Sequence, residues 1–148
     1  MAITQAVANS FKKEVLEGSH KFQYGASGDT FKLALYISTA TLNSSTTAYT
    51  TTGEVGDSGQ YAAGGGKLVK PNPSTSVASG VAIVDFNDLS FTGVTITARG
   101  ALIYNTSSSN AAVAVLDFSA DKTATSGTFT IQFPAFTTSA AILRIGNA

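Results

Sequence analysis

The chain has 148 residues, of which 43% are hydrophobic, so it is long enough for one domain with one core and too short for two ordinary domains. Its 9 basic and 9 acidic residues cancel, and a neutral chain lacks the electrostatic footprint of proteins that bind nucleic acid or anionic lipid. The longest apolar runs, such as Ala111–Leu116, are far shorter than the ~20 residues that span a bilayer. We therefore expect one domain with no nucleic-acid partner and no membrane partner.

The N-terminal residues follow a helical pattern. Ile3, Val7, Phe11 and Val15 recur at intervals that place them on one face of a helix, and Gly18 follows as a stop signal. We expect a helix over residues 2–17, within a segment 1–18 that precedes a single antiparallel β domain over residues 19–148. The apolar face either packs on the domain's own sheet or docks on another subunit, and the pattern favours neither.

From His20 onward the hydrophobic period changes to two. Phe31, Leu33, Leu35 and Ile37 alternate with more polar positions, as in a strand that buries one face. Short apolar runs follow, separated by turn signals such as Pro71-Asn72-Pro73, Asn87-Asp88 and Asn105–Asn110. They predict strands at Val81–Phe86, Leu89–Thr92, Val94–Tyr104, Ala111–Phe118, Thr128–Phe133 and Ala140–Ile145. This spacing is typical of an all-β protein, and we expect an antiparallel β-sandwich or barrel with one N-terminal α-helix.

A long segment rich in Ser, Thr and Gly, residues 39–66, interrupts the strands. Such a segment is mobile if isolated and ordered if a neighbour covers it, because it offers little to bury and its backbone needs hydrogen-bond partners. We expect it to gain order on assembly. It contains Tyr49 and Tyr61, which together with the helix face give the candidate interface residues Ile3, Val7, Phe11, Val15, Tyr49 and Tyr61.

Few side chains in the sequence could support catalysis or bind a metal. Cysteine is absent and His20 is the one histidine. Nothing in the sequence marks a Ser or Thr that His20 could activate as a nucleophile. The run Gly64-Gly65-Gly66-Lys67 lacks the first glycine and the final Ser or Thr of a phosphate-binding loop, so a turn is the better interpretation. The acidic groups Asp85, Asp88, Asp117 and Asp121 lack the spacing of a calcium loop. We expect no catalytic residue, no metal, no cofactor and no enzymatic activity.

The start of the chain also bears on its location. Lys12 and Lys13 follow the first apolar residues, which is the reverse of the order in a secretory signal. We expect a protein that is made and kept in the cytoplasm, or carried in a particle assembled there.

Several stretches resemble, in the same order, a family of small structural proteins of tailed bacteriophages. They are FKLALYISTATL (31–42), TAYTTTGEV (47–55), GQYAAGG (59–65), ITARGALIYN (96–105), AVAVLDF (112–118) and FTIQFP (129–134). The resemblance covers nearly the whole chain and implies a virion component made in the host cytoplasm, foremost a capsid decoration or cement protein. Its implied partners are the major capsid protein and copies of itself, as a homo-oligomer in the particle. The chain departs from the family pattern at Gly59-Gln60-Tyr61, where a Gly-Tyr pair is expected, and no catalytic residue transfers.

Two alternatives remain beside the decoration role. A tail or head-to-tail junction component would use the same sheet in a ring. A carbohydrate-binding receptor module would need exposed aromatic rings, and the available ones are Tyr24, Tyr36, Tyr49, Tyr61 and Tyr104, of which only Tyr104 has a suitable neighbour in Asn105. A hydrolase ranks last because no acid and base pair is evident.

Overall fold

The computed structural model describes residues 2–146 and contains two antiparallel sheets and one short α-helix. The predicted all-β class with one N-terminal helix is confirmed. No helix within residues 2–146 is long and apolar enough to cross a membrane. The elements in chain order are β1 (Ala6–Val7), α1 (Asn9–Leu16), a 3-10 turn (Gly25–Ser27), β2 (Phe31–Tyr36), β3 (Gly66–Lys67), β4 (Thr75–Ala78), β5 (Val81–Val84), β6 (Leu89–Asn105), β7 (Ala111–Ile131) and β8 (Leu143–Ile145).

The largest element is the β6–β7 hairpin, whose strands have 17 and 21 residues. The predicted turn at 105–110 is confirmed, with Asn105 paired to Ala111 at one end and Leu89 to Ile131 at the other. Four separate strands were expected here, and the structure joins them into two. The reason is a series of register shifts, including one between Phe91 and Val94, which accommodate the extra residues as bulges without ending the pairing.

The hairpin lies inside a five-stranded sheet with the order β1-β7-β6-β2-β3. β2 pairs along β6 from Phe31 opposite Asn105 to Tyr36 opposite Gly100. Leu33 to Tyr36 are all buried, so β2 is covered on both faces instead of the one face that alternation indicated. Ile37, expected on the buried face, lies beyond the strand end and is exposed.

A smaller sheet, in the order β4-β5-β8, joins the core through aromatic rings. Phe22 stacks on Phe31 with ring centroids 4.5 Å apart, and Phe31 lies 5.8 Å from Phe86. Phe86 in turn meets the ring of Phe133 edge-on at 5.7 Å. This continuous aromatic contact makes one core from the two sheets. The expected strands at 81–86 and 140–145 are shorter in the structure, ending at Val84 and beginning at Leu143.

The expected helix over residues 2–17 is wrong in its first half. Ala6–Val7 form β1 against Ala114–Val115 of β7, and Ile3 bridges Leu42. Strand pairing prevails here because the edge of β7 offers unpaired backbone groups, and Ala8 N donates to Val113 O at 3.0 Å. The helix starts only at Asn9.

The candidate interface residues of this N-terminal segment face the domain's own core. Ile3 and Phe11 are buried, and Val7 and Val15 are partly buried against the same cluster. Of the two destinations left open by the sequence, the structure therefore shows packing on the domain's own sheet for this face. These four side chains are not a free docking surface.

We predict that Phe11→Ala lowers the free energy of unfolding by about 3 kcal/mol or more, because it removes a buried ring that lies 4.8 Å from the ring of His20. Leu16→Ala on the same helix is the matched control, since Leu16 is 88% exposed and its loss should change stability by no more than about 0.5 kcal/mol. Urea unfolding of both variants measures the difference. Equal stabilities would contradict the assigned packing of α1.

Candidate functional site

Residues 39–66 fold back onto the hairpin and the end of β2. Ile37 N donates to Gly53 O and Val55 N donates to Leu35 O, each at 2.9 Å, so the segment extends the outer edge of β2. Tyr49 N donates to Asn110 O at 3.0 Å, beside the hairpin turn. The expectation that this backbone finds its partners only on assembly is wrong, because the chain satisfies much of it internally.

Glu54 holds this segment together. Its Oε1 accepts hydrogen bonds from the Tyr61 hydroxyl at 2.8 Å and from Gly64 N at 2.7 Å, and its Oε2 accepts one from the Tyr49 hydroxyl. The Tyr61 hydroxyl also accepts a hydrogen bond from Leu35 N at 2.8 Å. One half-buried carboxylate thus fixes three points of the loop and, through Tyr61, the edge of β2.

The tyrosines around Glu54 are donors that stay protonated. Burial, with the Glu54 carboxylate adding to it, raises the pKa of Tyr104 to about 12. Burial also raises the pKa of Tyr36, Tyr49 and Tyr61 well above the ordinary range. Tyr104 stacks on Tyr49 with centroids 4.7 Å apart and donates to Gly64 O at 2.6 Å. The cluster therefore serves as a hydrogen-bonded scaffold and offers no group poised to take up a proton.

This arrangement corrects the assignment of Tyr61 as an interface residue, because its side chain is buried in the domain. Tyr49 is half-buried and packs against the core. Tyr104, the clearest candidate for stacking on a sugar, is buried with its neighbour Asn105. Tyr24, 57% exposed, is the tyrosine whose ring is open to solvent.

The glycine run at 64–66 is a packed turn against β2. Gly65 has φ +71°, and a Cβ at this position would lie 1.8 Å from Leu33 O, so only glycine fits. Gly64 N is used by Glu54 and Gly65 N by Ala62 O at 2.9 Å. These amides are occupied within the chain and do not form a phosphate cradle.

His20 is enclosed and hydrogen-bonded on both ring nitrogens. Nε2 lies 2.8 Å from Glu14 Oε2, and Asn105 Nδ2 donates to Nδ1 at 3.0 Å. Asn105 Nδ2 also donates to Asp29 Oδ2 at 2.7 Å. Since Nδ1 is the acceptor, Nε2 carries the proton and donates to Glu14. The network ties α1 to the turn of the hairpin, which gives His20 a structural role.

The acidic residues considered as calcium ligands have separate local roles. Asp88 accepts from Phe133 N at 2.8 Å, Asp117 from Ser119 N at 2.8 Å, and Asp121 pairs with Arg99 at 2.8 Å. Asp85 is buried, and burial raises its carboxyl pKa above the ordinary range. Within residues 2–146, no group of three His, Cys, Asp or Glu side chains lies together as a metal site would require.

The surface feature that the sequence did not indicate is an apolar groove of about 910 Å³ between α1 and the small sheet. Its floor includes Phe11, Ile83 and Leu143. Leu16, Val77 and Ile145 border it and are 88%, 72% and 64% exposed. Leu16 follows Val15 at the end of the helical pattern, but only the fold brings it beside β4 and β8.

A second cleft, of about 730 Å³, runs between β7 and the C-terminal residues. Hydroxyl and charged side chains occur along it, including Thr123, Thr130 and Lys122, together with Phe129 and Phe133. It is more polar than the apolar groove, so a molecule that covered it would bury less apolar surface and gain less binding free energy.

Comparison of the chain with protein-family models, curated proteins and solved structures finds no match in any of the three. Function must therefore be inferred from the chain's own residues.

We predict that Tyr61→Phe lowers the free energy of unfolding by roughly 1–3 kcal/mol, because buried Leu35 N loses its acceptor and Glu54 loses a donor. Tyr24→Phe removes the same atom from an exposed ring and should leave stability unchanged within about 0.5 kcal/mol. Denaturant unfolding compares the two variants with the parent chain. A cost shared equally by both would contradict the role given to Tyr61.

We also predict that the protein loses stability in alkali. A tyrosine whose pKa is raised by folding contributes stability below about pH 10, the pKa in the unfolded chain, and that contribution is lost as pH rises through the folded value. For Tyr104 this window extends from about pH 10 to about pH 12. Unfolding free energy measured across it should fall less steeply in Tyr104→Phe than in the parent chain. Parallel curves would refute the burial of this phenol.

Proposed function

We propose that this chain is a non-enzymatic structural protein of a tailed-bacteriophage virion, and that it decorates the capsid by bridging major capsid subunits. The observation that carries the proposal is the exposed apolar groove between α1 and the small sheet. Soluble monomers rarely leave such patches uncovered unless another molecule covers them. The sequence resemblance to phage structural proteins gives the partner class.

The distribution of polar groups supports a role in contact instead of catalysis. His20 is enclosed by Glu14 and Asn105, and Glu54 accepts from two tyrosines and a backbone amide. A general base must reach a substrate proton, and these groups face the interior. The side chains that could act as acids or bases are instead used to hold the fold together.

The mechanism needs only burial of surface. Covering an exposed Leu, Val or Ile side chain stabilises a complex by roughly 1.5–3 kcal/mol before the costs of association. A protein that binds the assembled shell and not the free subunits stabilises the shell by mass action. A neutral body can occupy many symmetric positions without accumulating charge repulsion.

We predict that purified virions contain the chain at an abundance comparable to that of the major shell protein. Quantitative mass spectrometry of virions, calibrated with isotope-labelled peptides of both proteins, measures the ratio. A handful of copies per particle would favour a tail or head-to-tail junction component, which the same fold could serve. Absence from virions would overturn the structural role altogether.

A further inference from the structure

We propose that the apolar groove between α1 and the small sheet binds an apolar segment of the major shell subunit that carries carboxylate side chains. This inference rests on the proposed function and specifies the attachment surface and its partner. The groove is formed by residues far apart in sequence, with α1 on one side and β4, β5 and β8 on the other.

Exposed apolar side chains cluster around the groove. Six large apolar side chains stand out as exposed within residues 2–146, and three of them, Leu16, Val77 and Ile145, border this groove. Scattered exposed apolar residues are normal, but a group around an apolar depression indicates a contact surface. The buried floor beneath them gives a partner's apolar side chains a place to insert.

The groove also carries basic residues and, in the described part of the chain, no acidic ones. Among the described residues, the charged ones that line the groove are Lys12 and Arg144, both basic, in a chain with no net charge, and Arg144 also lines the second cleft. The nearby acids pair with other residues, Glu14 of α1 with His20, and Glu17, which directly follows the helix, with Lys13 at 3.3 Å. Lys12 Nζ contacts the neutral Asn9 Oδ1 at 3.2 Å, and Arg144 donates to the carbonyl of Ser139 at 2.8 Å. The groove therefore favours a partner that combines apolar side chains with carboxylates.

This combination selects among possible occupants. A second copy of this chain would have to present a projecting apolar element with acids, and three of its six exposed large apolar residues instead border the basic groove itself. Two such surfaces placed face to face would oppose Lys12 and Arg144 to like charges. A shell subunit with an acidic apolar segment meets no such repulsion.

The test measures binding of the purified full-length chain to phage particles assembled without it. Leu16→Asp and Val77→Asp place a carboxylate in the groove and should weaken binding at least tenfold. Val69→Asp is the matched control, because Val69 is 56% exposed but lies outside the groove. It should bind like the parent chain. Thermal unfolding of each variant must match the parent, as expected for exposed positions.

Charge reversal tests whether the basic residues of the groove contribute to binding. Arg144→Glu and Lys12→Glu should each weaken binding about threefold to tenfold and reduce its sensitivity to salt. Lys21→Glu reverses an exposed charge outside the groove and should have no effect. Carbodiimide coupling on the bound particle should join the Lys12 amine to a carboxylate of the major shell subunit within an apolar stretch. Lys12→Arg should bind normally and lose this cross-link.

The outcomes separate the two proposals. If the parent chain fails to bind the particles, the proposed function is wrong. If the parent chain binds and the groove variants bind as well as Val69→Asp, the function stands and the groove is not the attachment surface. A Lys12 cross-link to another copy of this chain would overturn the assignment of the shell subunit as occupant.

Discussion

The length of the β6–β7 hairpin imposes the constraint that the other elements satisfy. A two-stranded ribbon is marginal in water by itself, and this one has 17 and 21 residues in its strands. In the half of the hairpin that lies near its turn, β2 pairs with β6 and β1 pairs with β7. Near the bulge at Phe91 to Val94, Thr92 N donates to Gln60 Oε1 at 3.1 Å and Thr95 N to Ser58 Oγ at 2.8 Å. The loop at 58–61 thus supplies the acceptors that a regular neighbouring strand would have provided.

This constraint explains which parts of the fold the sequence predicted. The alternation of apolar and polar residues identified the hairpin strands. In the half of the hairpin far from its turn, one face is buried, as at Ile96, and the other is exposed, as at Thr97. The hydroxyls of Thr97 and Thr123 face each other at 2.8 Å, and those of Ser90 and Thr130 do the same. Such cross-strand hydroxyl pairs suit exposed β positions.

The failures have a common cause, since each depends on partners distant in sequence. Residues 2–8 carry a helical spacing, yet β1 forms because β7 presents an edge more than one hundred residues away. The segment 39–66 has few large apolar residues, of which Leu42 and Val55 are buried, and Glu54 and Tyr61 order it further through hydrogen bonds to each other and to β2. Local periodicity contains no information about either contact. The groove was missed for the same reason, because Leu16, Val77 and Ile145 become neighbours only in the folded chain.

The open sheet edges and the apolar groove differ in how far they are protected from contact with other molecules. Loop residues and side chains contact the outer edge of β2. At Leu35 the Tyr61 hydroxyl accepts the backbone N–H hydrogen bond that a carbonyl of a neighbouring strand would otherwise accept. On β7, within residues 2–146, positions 118–131 pair with β6 alone, which leaves a long edge open. Positive φ values at Ser119 and Ser126 interrupt that edge, and the side chains of Asp121 and Lys122 place charges on it. Such irregularities and charges discourage a foreign strand from pairing. The apolar groove is less protected: Lys12 and Arg144 line it, but its floor is apolar and the exposed side chains of Leu16, Val77 and Ile145 border it. The open strand edge is thus protected from pairing, whereas the apolar groove is uncovered. This difference favours docking by burial of side chains in the groove over the addition of a strand to the sheet.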